Sequence, residues 1–202
     1  MMSIDERREL YTAAVSVSRG RAPVVAGIAA CRTADAVRLV SAAKDSGCQG
    51  IMLGLPPYVR PVETEIEAYV RRCSTAAKDL PTLLYDNAPR NGGGPSASSV
   101  IRVRMALQGW IGGVKVVGTD PAASVAIAVE LAAAAPSLRL YTGSDILFGA
   151  LRLAALRHDA GGGAPSPLRG VTSILANVSP HDVVVMATTA DVEVVAAAHA
   201  RG

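Results

Sequence analysis

Cysteines, aromatic residues, charge blocks and long apolar runs are all scarce in this chain, and each scarcity closes off a class of protein. The three cysteines, Cys31, Cys48 and Cys73, are odd in number, widely spaced and without a CxxC pair. That argues against a disulfide framework and against a zinc site, and it fits a reducing, cytoplasmic setting. The histidines, His158, His181 and His199, are scattered and fall toward helices and loops, so no metal-ligand spacing is present and a metal-dependent barrel hydrolase is disfavoured. No metal and no cofactor is expected. A net charge of +3, with Arg and Lys interleaved among Asp and Glu, leaves no electrostatic footprint for nucleic acid. No stretch reaches the ~18 uninterrupted apolar residues that a spanning helix needs. The opening MMSIDERREL carries acids and bases where a signal peptide has its apolar core, so a protein neither exported nor membrane-bound is expected.

What the chain does contain is hydrophobic content of 50%, supplied mainly by Ala, Val and Leu with only 3% aromatics. Small branched side chains of this kind fill the space between parallel strands and their covering helices. At 202 residues the chain is long enough to bury one substantial core, and a single domain over 1–202 is the expectation.

Short β-branched runs recur at intervals of roughly 30 residues, about the length of one strand plus one helix. They are PVVAGI (23–28), GIMLG (50–54), TLLYD (82–86), GGVKVV (112–117), LRLYTG (138–143) and GVTSI (170–174). Helical patterns lie between them at 33–47, 63–78, 96–107, 120–136 and 145–159, with one more at 4–18. Over 33–47 the face Ala36, Val37, Val40 and Ala43 is apolar, and Gly47 stands where a helix end wants positive φ. Alternation of strand and helix predicts parallel pairing through right-handed crossovers. Near-equal units, and the absence of GxGxxG or GxxxxGK[ST] after the first strand, favour a barrel over an open doubly wound sheet. Six units fall short of the eight in a closed (β/α)8 barrel. The Gly/Pro-rich stretches 91–95 and 161–167 are predicted loops.

Lys115 stands out because it interrupts the apolar run Gly112-Gly113-Val114-Lys115-Val116-Val117. Period-two alternation places it opposite Val114 and Val116, and at a strand's C-terminal end inside a barrel such a side chain reaches the mouth where active sites lie. Desolvation disfavours an ammonium and makes the neutral amine available to attack a carbonyl. An edge lysine reaching out to water is the competing reading. Tyr85 ends a strand that runs into Asp86-Asn87-Ala88-Pro89-Arg90. A phenol there can relay a proton and Arg90 can fork onto a carboxylate, although a tyrosine packed in the core is the plainer reading. Tyr58, in Pro56-Pro57-Tyr58, either faces a site or caps the sheet end.

Taken in order, Pro56-Pro57-Tyr58, Tyr85 to Arg90, Gly113-Val114-Lys115, Gly143-Ser144-Asp145 and Ala176 to Pro180 resemble segments of the dihydrodipicolinate synthase and N-acetylneuraminate lyase family. The resemblance covers the family's third to eighth units. It implies a TIM barrel in which Lys115 forms an imine with pyruvate or another 2-oxo acid and Tyr85 relays protons. It further implies that Arg90 helps hold a carboxylate, that Gly143, Tyr58 and Thr172 line the pocket, and that the protein is a homo-oligomer, a tetramer by family habit. Some features depart from the pattern. No Gly-Thr-Thr-Gly-Glu-like loop, which in the family holds the 2-oxo acid carboxylate, occurs in these residues; Val59 stands where a second aromatic is frequent, Thr172 where an aliphatic residue is common, and the loop 161–169 looks like an insertion against the family pattern. Two functions are therefore expected to compete: a lysine-imine aldolase or lyase, and a non-catalytic member of the same fold that keeps the lysine without a complete pocket.

Overall fold

The structure is a computed structural model that describes residues 2–87, 90, 97–107, 110–117, 126, 130–131, 134–135, 137–144, 148–149, 151–153, 156, 168–171, 180–189 and 193. The chain divides into two compact units, Met1–Gly113 and Val114–Gly202.

In the first unit the order is α1 (Ile4–Ser18), β1 (Val25–Ile28), α2 (Thr33–Asp45), β2 (Gly50–Gly54), α3 (Glu63–Ala77), β3 (Thr82–Asn87) and α4 (Ala97–Ala106). Strand β4 (Ile111–Val117) begins in this unit and continues into the second, which contributes β5 (Arg139–Thr142), β6 (Leu168–Val171) and α5 (Pro180–Thr188) among the described residues. The strands follow one another in the sheet in chain order, β1 to β6. Pairing is parallel for β1 with β2, β2 with β3, and β5 with β6.

Local signals explain the helix ends. Ser3 caps α1: its hydroxyl accepts from the Glu6 amide at 3.2 Å, and the Glu6 carboxylate accepts from the Ser3 amide at 2.6 Å. Hydrogen bonds to the carboxyl from Ser3, its backbone amide's first and its hydroxyl's second, hold the Glu6 carboxyl below the usual carboxylate range. Helix α2 ends as the glycine signal predicts. Gly47 has φ 81°, its amide bonds to the Lys44 carbonyl, and Cys48 bonds back to Ala43, each at 3.0 Å. Its start is weaker than a capped turn, because Arg32 precedes it and supplies no side-chain cap. The buried face of α2 also differs from the sequence reading. Ala36, Leu39, Val40 and Ala43 form the i, i+3, i+4, i+7 stripe, and Val37 is only half-buried.

In the first unit one strand face is fully covered: Ala26, Ile28, Ile51, Leu53, Thr82, Leu84 and Asp86 are all buried. The alternate positions Gly27, Met52, Leu83 and Tyr85 are half-exposed, as expected when one face packs under helices and the other is left for a site. In the second unit, β6 begins at Leu168, so the predicted loop does not extend to 169. Leu168 is buried and pairs with Leu140, with an irregularity between Leu140 and Tyr141 absorbing the offset.

Burial also sorts the cysteines. Cys31 is exposed, whereas Cys48 and Cys73 are buried. Burial raises the Cys48 thiol and pushes the Cys73 thiol up to about 12, against a smaller lowering by Tyr69. Only about one Cys73 in 10⁴ is then thiolate at a pH near 8, and the thiolate is the reactive form. Titration of the native protein with an aromatic disulfide is expected to release one equivalent promptly and the other two only in denaturant. Three fast equivalents would contradict this packing.

Candidate active site

Lys115 lies on β4 between Val114 and Val116, which are 2% and 9% exposed, while Lys115 itself is half-buried. The predicted alternation therefore holds, and Val117 shares the side of Lys115. Partial burial lowers the Lys115 pKa, desolvation being the cause. The strand beside it is shaped to that side chain. Gly143 follows β5, donates its amide to the Val116 carbonyl at 2.9 Å, and carries no Cβ where one would collide. An ideal Cβ at Gly143 would stand 2.5 Å from Lys115 Cε and 3.3 Å from Nζ, and would overlap Val117 Cγ2. Glycine at this position is therefore what leaves room for the lysine's amine end.

Tyr85 occupies the half-exposed face of β3, in register with Gly54 of β2. Gly54 is tight for the same kind of reason: a Cβ there would meet the Ile28 carbonyl at 3.2 Å and the Tyr85 ring at 3.5 Å. The Gly54 carbonyl accepts from the buried Tyr69 hydroxyl at 2.9 Å, and burial drives that phenol's pKa well above its ordinary value. Asn87, two residues beyond Tyr85 and so on the same side of the strand, donates its side-chain amide to the Tyr85 hydroxyl at 2.8 Å. The phenol oxygen accepts in that bond, and its O–H is available to donate in the same geometry.

Tyr58 and Arg90 meet through the backbone, the Tyr58 amide donating to the Arg90 carbonyl at 2.8 Å. Both side chains are exposed, Tyr58 at 83%, and Tyr58 takes a left-handed φ of 63°. Thr172 lies outside the described residues. Gly54, Tyr69, Asn87 and Val117 were not singled out by the sequence. Of these Asn87 and Val117 carried a usable signal, their i+2 spacing from Tyr85 and Lys115. Among the described residues no cluster of His, Cys, Asp and Glu could hold a metal ion, and no helix is long and apolar enough to cross a membrane.

The sequence matches the model of the dihydrodipicolinate synthetase family across residues 1–200. The chain belongs to that family. The 4-hydroxy-tetrahydrodipicolinate synthase of Ralstonia nicotianae is 31% identical over 196 residues, an alignment covering 95% of this chain and 60% of that protein. Among solved structures, dihydrodipicolinate synthase from Aquifex aeolicus matches with a TM-score of 0.84 at 20% identity, over 100% of this chain and 64% of the other. The chloride-inhibited dihydrodipicolinate synthase from Acinetobacter baumannii, solved in complex with pyruvate, matches with a TM-score of 0.83 at 23% identity, again over 100% and 64%. This family member thus has the fold of a partial TIM barrel, and it spans about 60% of the length of its Ralstonia relative.

Proposed function

We propose that this family member forms a Schiff base between Lys115 and pyruvate or a similar 2-oxo acid, as the first step of an aldolase or lyase reaction. The supporting observation is the pairing of a half-buried, pKa-lowered Lys115 with Gly143, whose missing Cβ leaves space at the amine. In this reading the neutral Nζ attacks the C2 carbonyl, forming a C–N bond as the carbonyl oxygen takes up a proton. Loss of that oxygen as water, its second proton coming from the nitrogen, gives the protonated imine. Tyr85 is assigned the proton relay, its hydroxyl held by Asn87. Arg90, Tyr58 and Thr172 are assigned to the second substrate and the pocket lining, and a homo-oligomer is the proposed assembly. The competing reading, a non-catalytic member, draws on the chain's coverage of about 60% of its Ralstonia relative.

The test is incubation with pyruvate, reduction by borohydride and mass spectrometry of the digest, with one reduced pyruvyl group expected on the peptide containing Lys115. An unmodified peptide after prolonged incubation would remove the proposal. The trapping rate should climb with pH and level off below the pH at which an exposed lysine does, because burial lowers the Lys115 pKa. The sign for stability follows. The buried ammonium opposes folding while pH is below the folded-state pKa, and that penalty fades as pH rises through it toward the unfolded value.

Gly143→Ala supplies a second check. The added methyl must displace Lys115 Cε or Val117. A misplacement of about 1 Å at a reacting group costs on the order of 100-fold in rate. Trapping is expected to slow by about that factor with the circular dichroism spectrum intact, and an unchanged rate would show that the amine does not need the space.

A further inference from the structure

Tyr69 carries a hydroxyl that its place in the core does not call for. Helix α3 buries Ile66, Tyr69, Val70, Cys73 and Ala77, a stripe of helical spacing that apolar side chains alone would fill. Tyr69 is 4% exposed, and a phenol so placed costs free energy unless its O–H is bonded. The partner is the Gly54 carbonyl, 15 residues back at the end of β2, at 2.9 Å. Burial first, and then Cys73 one turn along the helix, raise the Tyr69 pKa. The hydroxyl therefore keeps its proton, and its role as donor, throughout the neutral range.

Gly54 is closely held on other sides too. A Cβ there would stand 3.2 Å from the Ile28 carbonyl of β1 and 3.5 Å from Cδ1 of Tyr85, the register partner of Gly54 on β3. The glycine thus lies between the β1 backbone and the Tyr85 ring, and the Tyr69 bond fixes its peptide from the helix side. Tyr85 in turn rests its ring against Gly54 and takes a hydrogen bond from Asn87 at its hydroxyl, at 2.8 Å. Any displacement of Gly54 moves the surface on which that ring rests.

We propose that Tyr69 is a positioning residue for Tyr85: by holding the Gly54 carbonyl it fixes the glycine against which the Tyr85 ring lies, and so the place of the phenol oxygen. The proposal rests on the assignment of Tyr85 as the proton relay. Tyr69 touches no reacting atom in this scheme and acts only through β2.

The test is a double-mutant cycle of the parent chain, Tyr69→Phe, Tyr85→Phe and the double variant, with borohydride trapping rates followed over a series of pyruvate concentrations. Tyr69→Phe keeps the ring and removes the donor. Its limiting rate is expected to fall roughly tenfold, the equivalent of one hydrogen bond, while the half-saturating pyruvate concentration stays at the parent's. In the Tyr85→Phe background the same change is expected to cost nothing, because no relay is left to misplace. A hydroxyl with a merely structural role would slow both backgrounds alike. Such equal slowing, a parent-like limiting rate in Tyr69→Phe, or a shift in the half-saturating concentration alone would overturn the proposal. A parent that traps no pyruvate, or a Tyr85→Phe variant as fast as the parent, would overturn the relay assignment and the proposal with it. That failure is distinguishable, because neither measurement involves a change at Tyr69. Should Tyr69→Phe fail to fold, as judged by its circular dichroism, Gly54→Ala takes its place in the cycle with the same expectations, since its methyl presses on the Ile28 carbonyl and meets the Tyr85 ring.

Discussion

Lys115→Ala is expected to leave no borohydride-trapped pyruvate on the chain, the largest single-residue effect predicted for it. The argument is chemical before it is structural. An imine needs a primary amine with a neutral fraction, and Lys115 is the lysine whose pKa burial lowers. Its neighbours Val114 and Val116 are buried hydrophobics, so truncation removes the nucleophile while the packed side of β4 stays filled. Tyr85→Phe acts on a different step. It deletes a proton relay, commonly worth about 10²–10⁴ in rate, and keeps the ring against Gly54, so trapping is expected to be slowed and not lost. A digest of Lys115→Ala still carrying a reduced pyruvyl group would show that another amine does the work.

Turnover with pyruvate is expected to differ just as widely. The 202 residues by themselves should turn over at least about 100-fold more slowly than the full synthase of Ralstonia nicotianae, the scale set by misplacing a substrate by ~1 Å. The reason is incomplete orientation. Six strands are described where a closed barrel has eight, and no Gly-Thr-Thr-Gly-Glu-like loop is present in these residues to hold a 2-oxo acid carboxylate. An amine can form an imine without that grip, but the rate of turnover depends on how the substrate is oriented. Steady-state assays of the two proteins under matched conditions decide it. Equal rates in the ordinary enzyme range of about 1–10³ s⁻¹ would show that the chain carries a complete site.

Periodicity made the strand order and helices α1 to α4 readable, because alternation and the 3.6-residue repeat are local properties of the chain; the helices expected at 120–136 and 145–159 lie largely outside the described residues, and α5 was not among those expected. Helix α1 begins at Ile4 and ends at Ser18 as read, and the Gly47 signal corresponds to a φ of 81°. Lys115 was legible because a charge inside an apolar run contradicts its surroundings. What stayed hidden are bonds between side chains and distant backbone. Tyr69 reaches Gly54 across 15 positions, and Arg7 reaches Gly27 across 20. Neither pair leaves any mark in the spacing of apolar residues. The boundary of β6 at Leu168 was missed for a related reason: its start is set by pairing with Leu140, while the local Gly/Pro composition argued for a loop. Exposure of Arg90 and Tyr58 is likewise a property of the assembled surface, and their sequence motifs carry no information on it.

Strand order in the sheet equals strand order in the chain, and this bears on how the molecule is made. Each strand finds its partner one β/α unit away, so the loops closed during folding are short and their entropic cost is modest. Structure can accumulate from the N-terminus as residues leave the ribosome, since β1, β2 and β3 with helices α1 to α3 need nothing from later residues to form their pairs. The strand pairs of the unit Met1–Gly113 can then be in place before the last strands have been synthesised.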